Sequence, residues 1–181
     1  TLDLQGRLRV RDGAVFVFGG DAVDRGPDSL RVVDALLEAR RAQPAQVILL
    51  AGNRDINKLR LARELRGRPL ARTPQRERDE GGATLLRWIL AHTMGAKDAF
   101  EHRRVELSRI AGAPVRDEDV FESFAREVSP HGNLRAYLRE CALAYRAGDA
   151  LFLHGGVTEE SFGVVPTGAV SDDERAAEYC K

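Results

Sequence analysis

Cysteine, lysine and histidine are all scarce in this chain of 181 residues. Cys141 lies inside a helical pattern and Cys180 beside the final residue, so neither a disulfide framework nor a cysteine-based metal cluster is available. A reducing, cytoplasmic setting is the expectation. No apolar run approaches the roughly 18 residues of a membrane span, and no charged-then-apolar leader opens the chain, so no membrane is expected. Lys+Arg and Asp+Glu both number 28, so no net basicity points to a nucleic-acid or membrane-surface partner, and no nucleic acid is expected. There is no internal repeat and no low-complexity tract. The only lysines are Lys58, Lys97 and Lys181. The remaining basic side chains are guanidinium groups, shaped to grip phosphate or carboxylate, although genome composition produces the same bias.

With 43% hydrophobic and 31% charged residues, the chain has the composition of one globular domain. Ala14 to Phe18 is a short unbroken apolar run closed by Gly19 and Gly20, which predicts a strand buried on both faces. Asp28 or Ser29 can cap a helix carrying Leu30, Val33, Leu36 and Leu37, which ends before Pro44. Gln46 to Ala51 repeats the buried-strand pattern and ends at Gly52, so the opening reads strand, helix, strand, with the strands parallel. A second helical stretch starts near Asp55, followed by a polar, arginine-rich loop from Arg66 to Gly82. Helices are then expected around Leu85, Trp88 and Ile89, around Phe100, Leu107 and Ile110, and around Phe121, Phe124 and Val128. A fourth is expected from Leu134 through Tyr137, Leu138 and Cys141 to Tyr145, ended by Gly148. Ala150 to Leu153 is the third expected buried strand, ending on His154, Gly155 and Gly156.

Three strands thus end in glycine-containing loops that carry Asp21, Asn53 and His154. Parallel α/β sheets gather ligands at their carboxyl-terminal edge, so the three loops are expected to converge. A carboxylate, an amide carbonyl and an imidazole form a donor set better suited to Mn, Fe or Zn than to Ca.

Gly20-Asp21-Ala22-Val23-Asp24-Arg25-Gly26 reads G-D-x-x-D-R-G, Gly52-Asn53-Arg54-Asp55 reads G-N-x-D, and His154-Gly155-Gly156 reads H-G-G. In this order the motifs resemble those of the calcineurin-like metallophosphoesterases, over residues 14–60 and 150–157. The D-R-G and H-G-G motifs are shared with the phosphoprotein phosphatase and diadenosine tetraphosphatase branch. The resemblance implies an α/β fold, part of an α/β/β/α sandwich, with a helical insertion over approximately 66–148. It implies hydrolysis of a phosphomonoester or related phosphate bond, assisted by two divalent ions roughly 3.5 to 4 Å apart. Asp21 would bridge the ions, Asn53 and His154 would bind the second, Arg25 would hold phosphate, and Asp24 would orient the residue at position 54. The implied substrate is a phosphoprotein, a nucleotide or a small metabolite.

Arg54 stands where the family has a histidine thought to protonate the leaving group. A guanidinium with a pKa above about 12 cannot donate that proton near neutral pH. Arg54 is instead expected to pair with Asp24 and to touch the leaving oxygen electrostatically. The family's D-x-H motif before Asp21 and its histidines after His154 have no match here, which is read as truncation at both ends and implies that residues 1–181 alone are inactive. The rival expectation is a pseudophosphatase scaffold whose helical insertion binds a protein partner. His92, His102 and His131 are expected to be structural or solvated. The Arg103–Arg104 pair is expected on a solvated helix face, and Trp88 and Met94 in the core.

Overall fold

The computed structural model describes residues 6–159. Asp3, Cys180 and the helix-like stretch before Lys181 lie outside those residues. The first strand, β1 (Phe16–Phe18), is followed by α1 (Ser29–Ala42) and β2 (Val47–Leu50), with β1 and β2 parallel as expected and Phe16 opposite Val47. The central strand β2 is almost wholly buried. By contrast, β1 lies at one edge of the sheet among the described residues and is only half-buried, with Val15 exposed. Burial of β1 on both faces was therefore too strong an expectation, because an apolar run records what a strand can tolerate and not which neighbours it receives.

After β2 the chain enters α2 (Asn53–Asn57), a 3-10 turn at Lys58–Arg60 and α3 (Leu61–Glu64). The arginine-rich loop contains a short helix, α4 (Gln75–Glu80), after which come α5 (Gly82–Thr93), α6 (Ala99–Ala111), α7 (Asp117–Glu127) and α8 (Asn133–Glu140). These helices share one core with the sheet. Val33, Leu37 and Leu49 belong to the same cluster as Leu86, Ile89, Phe100, Val120 and Tyr137, and Met94 and the half-buried Trp88 pack there too.

Two features depart from the sequence reading. The expected helix through Tyr145 stops at Glu140; Cys141–Ala142 then forms β3, which pairs parallel with β2 through Leu49 and Leu50. The free edge of β2 captures the backbone here, and Ala51 N–H donates to Ala142 O at 3.0 Å. No glycine or proline marks the switch; the unpaired groups of the neighbouring strand supply it. The expected third buried strand does form as β5 (Ala150–Leu153). It pairs antiparallel with β4 (Ala144–Ala147) in a separate hairpin, and its residues are largely exposed. Gly148 does not end a helix but turns this hairpin, with φ of 56°.

Helix α6 ties the helical region to the loop after β1. The start of α1 carries no side-chain cap from Asp28 or Ser29. Instead, the Glu106 carboxylate accepts from Leu30 N–H at 3.1 Å and Arg31 N–H at 3.0 Å. Arg109 donates to Asp28 at 2.8 Å, and His102 Nδ1–H donates to Asp24 O at 3.3 Å. Spaced four and three residues apart, these side chains share one face of α6. Arg103 corrects the expected solvated pair. It is buried, donates to Ser123 Oγ at 2.8 Å and lies 4.6 Å above the Phe124 ring. Its neighbour Arg104 does reach the surface, where it pairs with Glu101 at 2.9 Å and with Asp117.

Candidate metal centre

The loop after β1 and the loop after β2 approach so closely that only glycine fits between them. A Cβ on Gly20 would meet Gly52 N at 2.7 Å, and one on Gly52 would meet Asp21 N at 2.2 Å. The two loops are fastened by Asp55, whose buried carboxylate accepts from Asp21 N–H (2.9 Å), Ala22 N–H (2.9 Å) and Gly52 N–H (3.0 Å). Burial pushes the Asp55 carboxyl above its ordinary range, while these backbone donors act in the opposite direction. In return, Arg54 N–H donates to Asp21 Oδ1 at 3.2 Å. Asp21 and Asp24 both adopt left-handed backbone conformations, with φ of 57° and 75°. Such positions are uncommon for side chains other than glycine, and tertiary contacts hold them here.

Asp21, Asn53 and His154 do come together. His154 Nδ1 lies 2.7 Å from Gly19 O, which can only accept, so Nδ1 carries the proton in the neutral ring. Its Nε2 lone pair then faces Asn53 Oδ1 at 3.1 Å and Asp21 Oδ1 at 3.2 Å. With this tautomer His154 Nε2 presents a lone pair beside two further oxygen donors, Asn53 Oδ1 and Asp21 Oδ1. The arrangement therefore fits a divalent cation with mixed oxygen and nitrogen ligands. Among the described residues, no group of three or more histidine, cysteine, aspartate or glutamate side chains gathers as a metal site; here the amide of Asn53 is the third donor.

The candidate catalytic residues surround this point unevenly. Arg25 reaches Asp21 Oδ2 at 3.9 Å with its side chain 72% exposed. Arg54 places Nε 3.5 Å from Asp21 Oδ2 and donates from Nη1 to Gly95 O at 3.2 Å. Its expected partner Asp24 is 4.0 Å away. The near partner of Asp24 is Lys58, whose Nζ lies 2.5 Å from Oδ2 in a pair closed off from solvent. Burial lowers the Lys58 pKa, while Asp24 acts to raise it. Asp24 is further held at N–H by Ser29 Oγ (3.2 Å) and at its carbonyl by His102.

Sequence reasoning quoted Asp55 within the G-N-x-D motif without giving it a role, expected His102 to be structural or solvated, and passed over Lys58 as a member of this constellation. Lys58 left one signal, being a lysine in a chain that otherwise uses arginine almost throughout. The family model described as calcineurin-like phosphoesterase matches residues 1–170. No curated protein and no solved structure matches the chain.

Proposed function

Because this chain belongs to the calcineurin-like phosphoesterase family, whose members are generally hydrolytic and typically bind two divalent metals, we propose that it carries the metal-binding and phosphate-gripping centre of a metal-dependent phosphoesterase. The observation that supports this reading most is the meeting of Asp21 from the loop after β1, Asn53 from the first position of α2 and His154 from the turn after β5. In the proposal these three residues hold a divalent ion of the Mn, Fe or Zn class. When bound, the metal would supply Lewis-acid polarisation of a phosphoryl oxygen and acidification of water.

The residues of the chain have separate tasks. Arg25, exposed beside Asp21, receives the phosphoryl oxygens of the substrate. Arg54 keeps a permanent positive charge next to Asp21 and lies within reach of the same anion, where it offsets charge growing on the leaving oxygen without supplying a proton. Asp24, anchored by Lys58, Ser29 and His102, fixes the backbone from which Arg25 projects. Leaving groups that depart without a proton, such as phenols and phosphoanhydrides, suit this arrangement. The substrate is proposed to be a phosphoprotein, nucleotide or small phosphorylated metabolite, as the diadenosine tetraphosphatase and phosphoprotein phosphatase branch would have it.

One observation favours a second reading, that of a phosphate-binding scaffold without turnover. The Arg54 guanidinium is tethered to Gly95 O and stands in place of a proton donor. The deciding experiment is turnover of p-nitrophenyl phosphate by the full-length protein with Mn, Fe or Zn, with Asp21→Asn as control. Metal-dependent turnover abolished by Asp21→Asn supports the enzyme. Protein that binds no metal and turns over nothing overturns it.

A further inference from the structure

Charge is distributed at this centre in a way that bears on how a cation enters it. Asp21 Oδ2 faces Arg54 Nε at 3.5 Å and Arg25 Nη2 at 3.9 Å. Asp24 Oδ2 faces Lys58 Nζ at 2.5 Å. Asp55 is turned into the protein, where three backbone N–H groups bind it. Arg54 Nη1 also lies 4.0 Å from Asp24 Oδ2, so among the described residues the three cations Arg25, Arg54 and Lys58 equal in number the three carboxylates Asp21, Asp24 and Asp55 around this centre. No surplus negative charge is left to attract a divalent cation into the gap between Asp21, Asn53 and His154.

The three cations differ in freedom. Lys58 is sealed against Asp24, its side chain 1% exposed, so Asp24 stays neutralised whatever binds. Arg54 is held by Gly95 O and by Asp21. Arg25 alone of the three has a largely exposed side chain and a long contact, so it can leave Asp21 for another anion. A phosphate dianion supplies what the site lacks. It brings two negative charges and oxygens that suit the Arg25 fork, and by drawing Arg25 away it uncovers Asp21 Oδ2.

We infer that the centre takes up a divalent cation and a phosphate dianion as a coupled pair, each raising the affinity for the other, so that the metal is bound weakly until the phosphorylated ligand arrives. The inference rests on the proposed metal-binding role of Asp21, Asn53 and His154 and adds to it a regulation of metal occupancy by substrate or product. Linkage makes the effect reciprocal: phosphate must gain from the cation the same factor that the cation gains from phosphate.

The test is calorimetric titration of the full-length protein with Mn2+ in the presence and absence of inorganic phosphate, followed by the reverse titration. The expected result is Mn2+ affinity raised about tenfold or more by phosphate, within the range of coupled sites, with an equal gain for phosphate in the presence of Mn2+. In Arg25→Gln, whose site is exposed enough to leave the fold intact, Mn2+ should bind more tightly without phosphate, and the phosphate effect should shrink to about threefold or less. Equal Mn2+ affinity with and without phosphate overturns the inference and leaves the metal site standing. An undiminished phosphate effect in Arg25→Gln overturns the charge argument. Absence of Mn2+ binding in both conditions overturns the inference together with the proposed function.

Discussion

Lys58 Nζ sits 2.5 Å from Asp24 Oδ2, with 1% of one side chain and 2% of the other exposed, although 34 residues separate them in the chain. An ion pair so deprived of water depends on both members. Removing one leaves the other charged in a medium that cannot solvate it, which is far more damaging than losing a surface pair.

Lys58→Met is therefore expected to destabilise the protein by about 3 to 5 kcal/mol, measured by urea unfolding. The double substitution Lys58→Met with Asp24→Asn should recover most of that loss, because no unpaired charge remains and asparagine tolerates the left-handed backbone at this position. Equal losses in the single and double variants would contradict this account.

Gly52→Ala places a methyl group 2.2 Å from Asp21 N and 2.4 Å from Asp21 Oδ1. The two loops must part, at a cost of about 1 to 3 kcal/mol. Mn2+ binding should fall with stability, since Asp21 and Asn53 ride on those loops. A Cβ on Gly156 would meet nothing within 4 Å, so Gly156→Ala should change stability by less than about 0.5 kcal/mol. Thermal unfolding of the two variants side by side checks the contrast.

How much of this was readable beforehand depended on how local each signal was. The strands β1 and β2, and the loops after them that carry Asp21 and Asn53, follow from apolar runs closed by glycine, which need only neighbouring residues to recognise; His154 reaches them from a separate antiparallel hairpin and not from the shared parallel edge that was expected. Asp55, Lys58 and Glu106 act on groups 33, 34 and 76 residues away, and no window of sequence contains both partners. Cys141 shows the opposite failure. Its position continues the helical stripe from Leu134, yet pairing with Leu49 overrides that local preference.

The Cys141 thiol is pushed up to about 11 from its ordinary 9.0, chiefly by burial, with the nearby Asp55 and Glu140 carboxylates adding to the rise. Alkylation of Cys141 by iodoacetamide at pH 8 should therefore be slower than that of a free thiol, and should accelerate on unfolding in urea, as followed by peptide mass spectrometry. The sign for stability follows from the raised value. The fold favours the protonated thiol, so this contribution is complete below pH 9 and is lost as pH rises through about 11. A Cys141→Ser variant whose stability falls as steeply as the parent's above pH 9 would remove the thiol from that explanation.

Glu106→Ala deprives Leu30 and Arg31 of their backbone acceptor and Arg103 of a carboxylate at 3.6 Å. The expected loss is about 1 to 3 kcal/mol by chemical denaturation. Arg109→Ala, which breaks the more exposed pair with Asp28, should lose less than about 1 kcal/mol. A reversal of that order would mean that α6 is held on α1 by surface charge.

Glu106 also decides what the start of α1 can no longer do. Free amide groups at the beginning of a helix attract anions, and this helix begins a few residues beyond Arg25. Here a carboxylate from α6 already fills that position. Under the proposed function, an incoming phosphate would find these amides already occupied, and its recognition would fall to side chains. The reach of the exposed Arg25, which the backbone does not fix, would then set how large and how differently shaped a phosphorylated ligand can be.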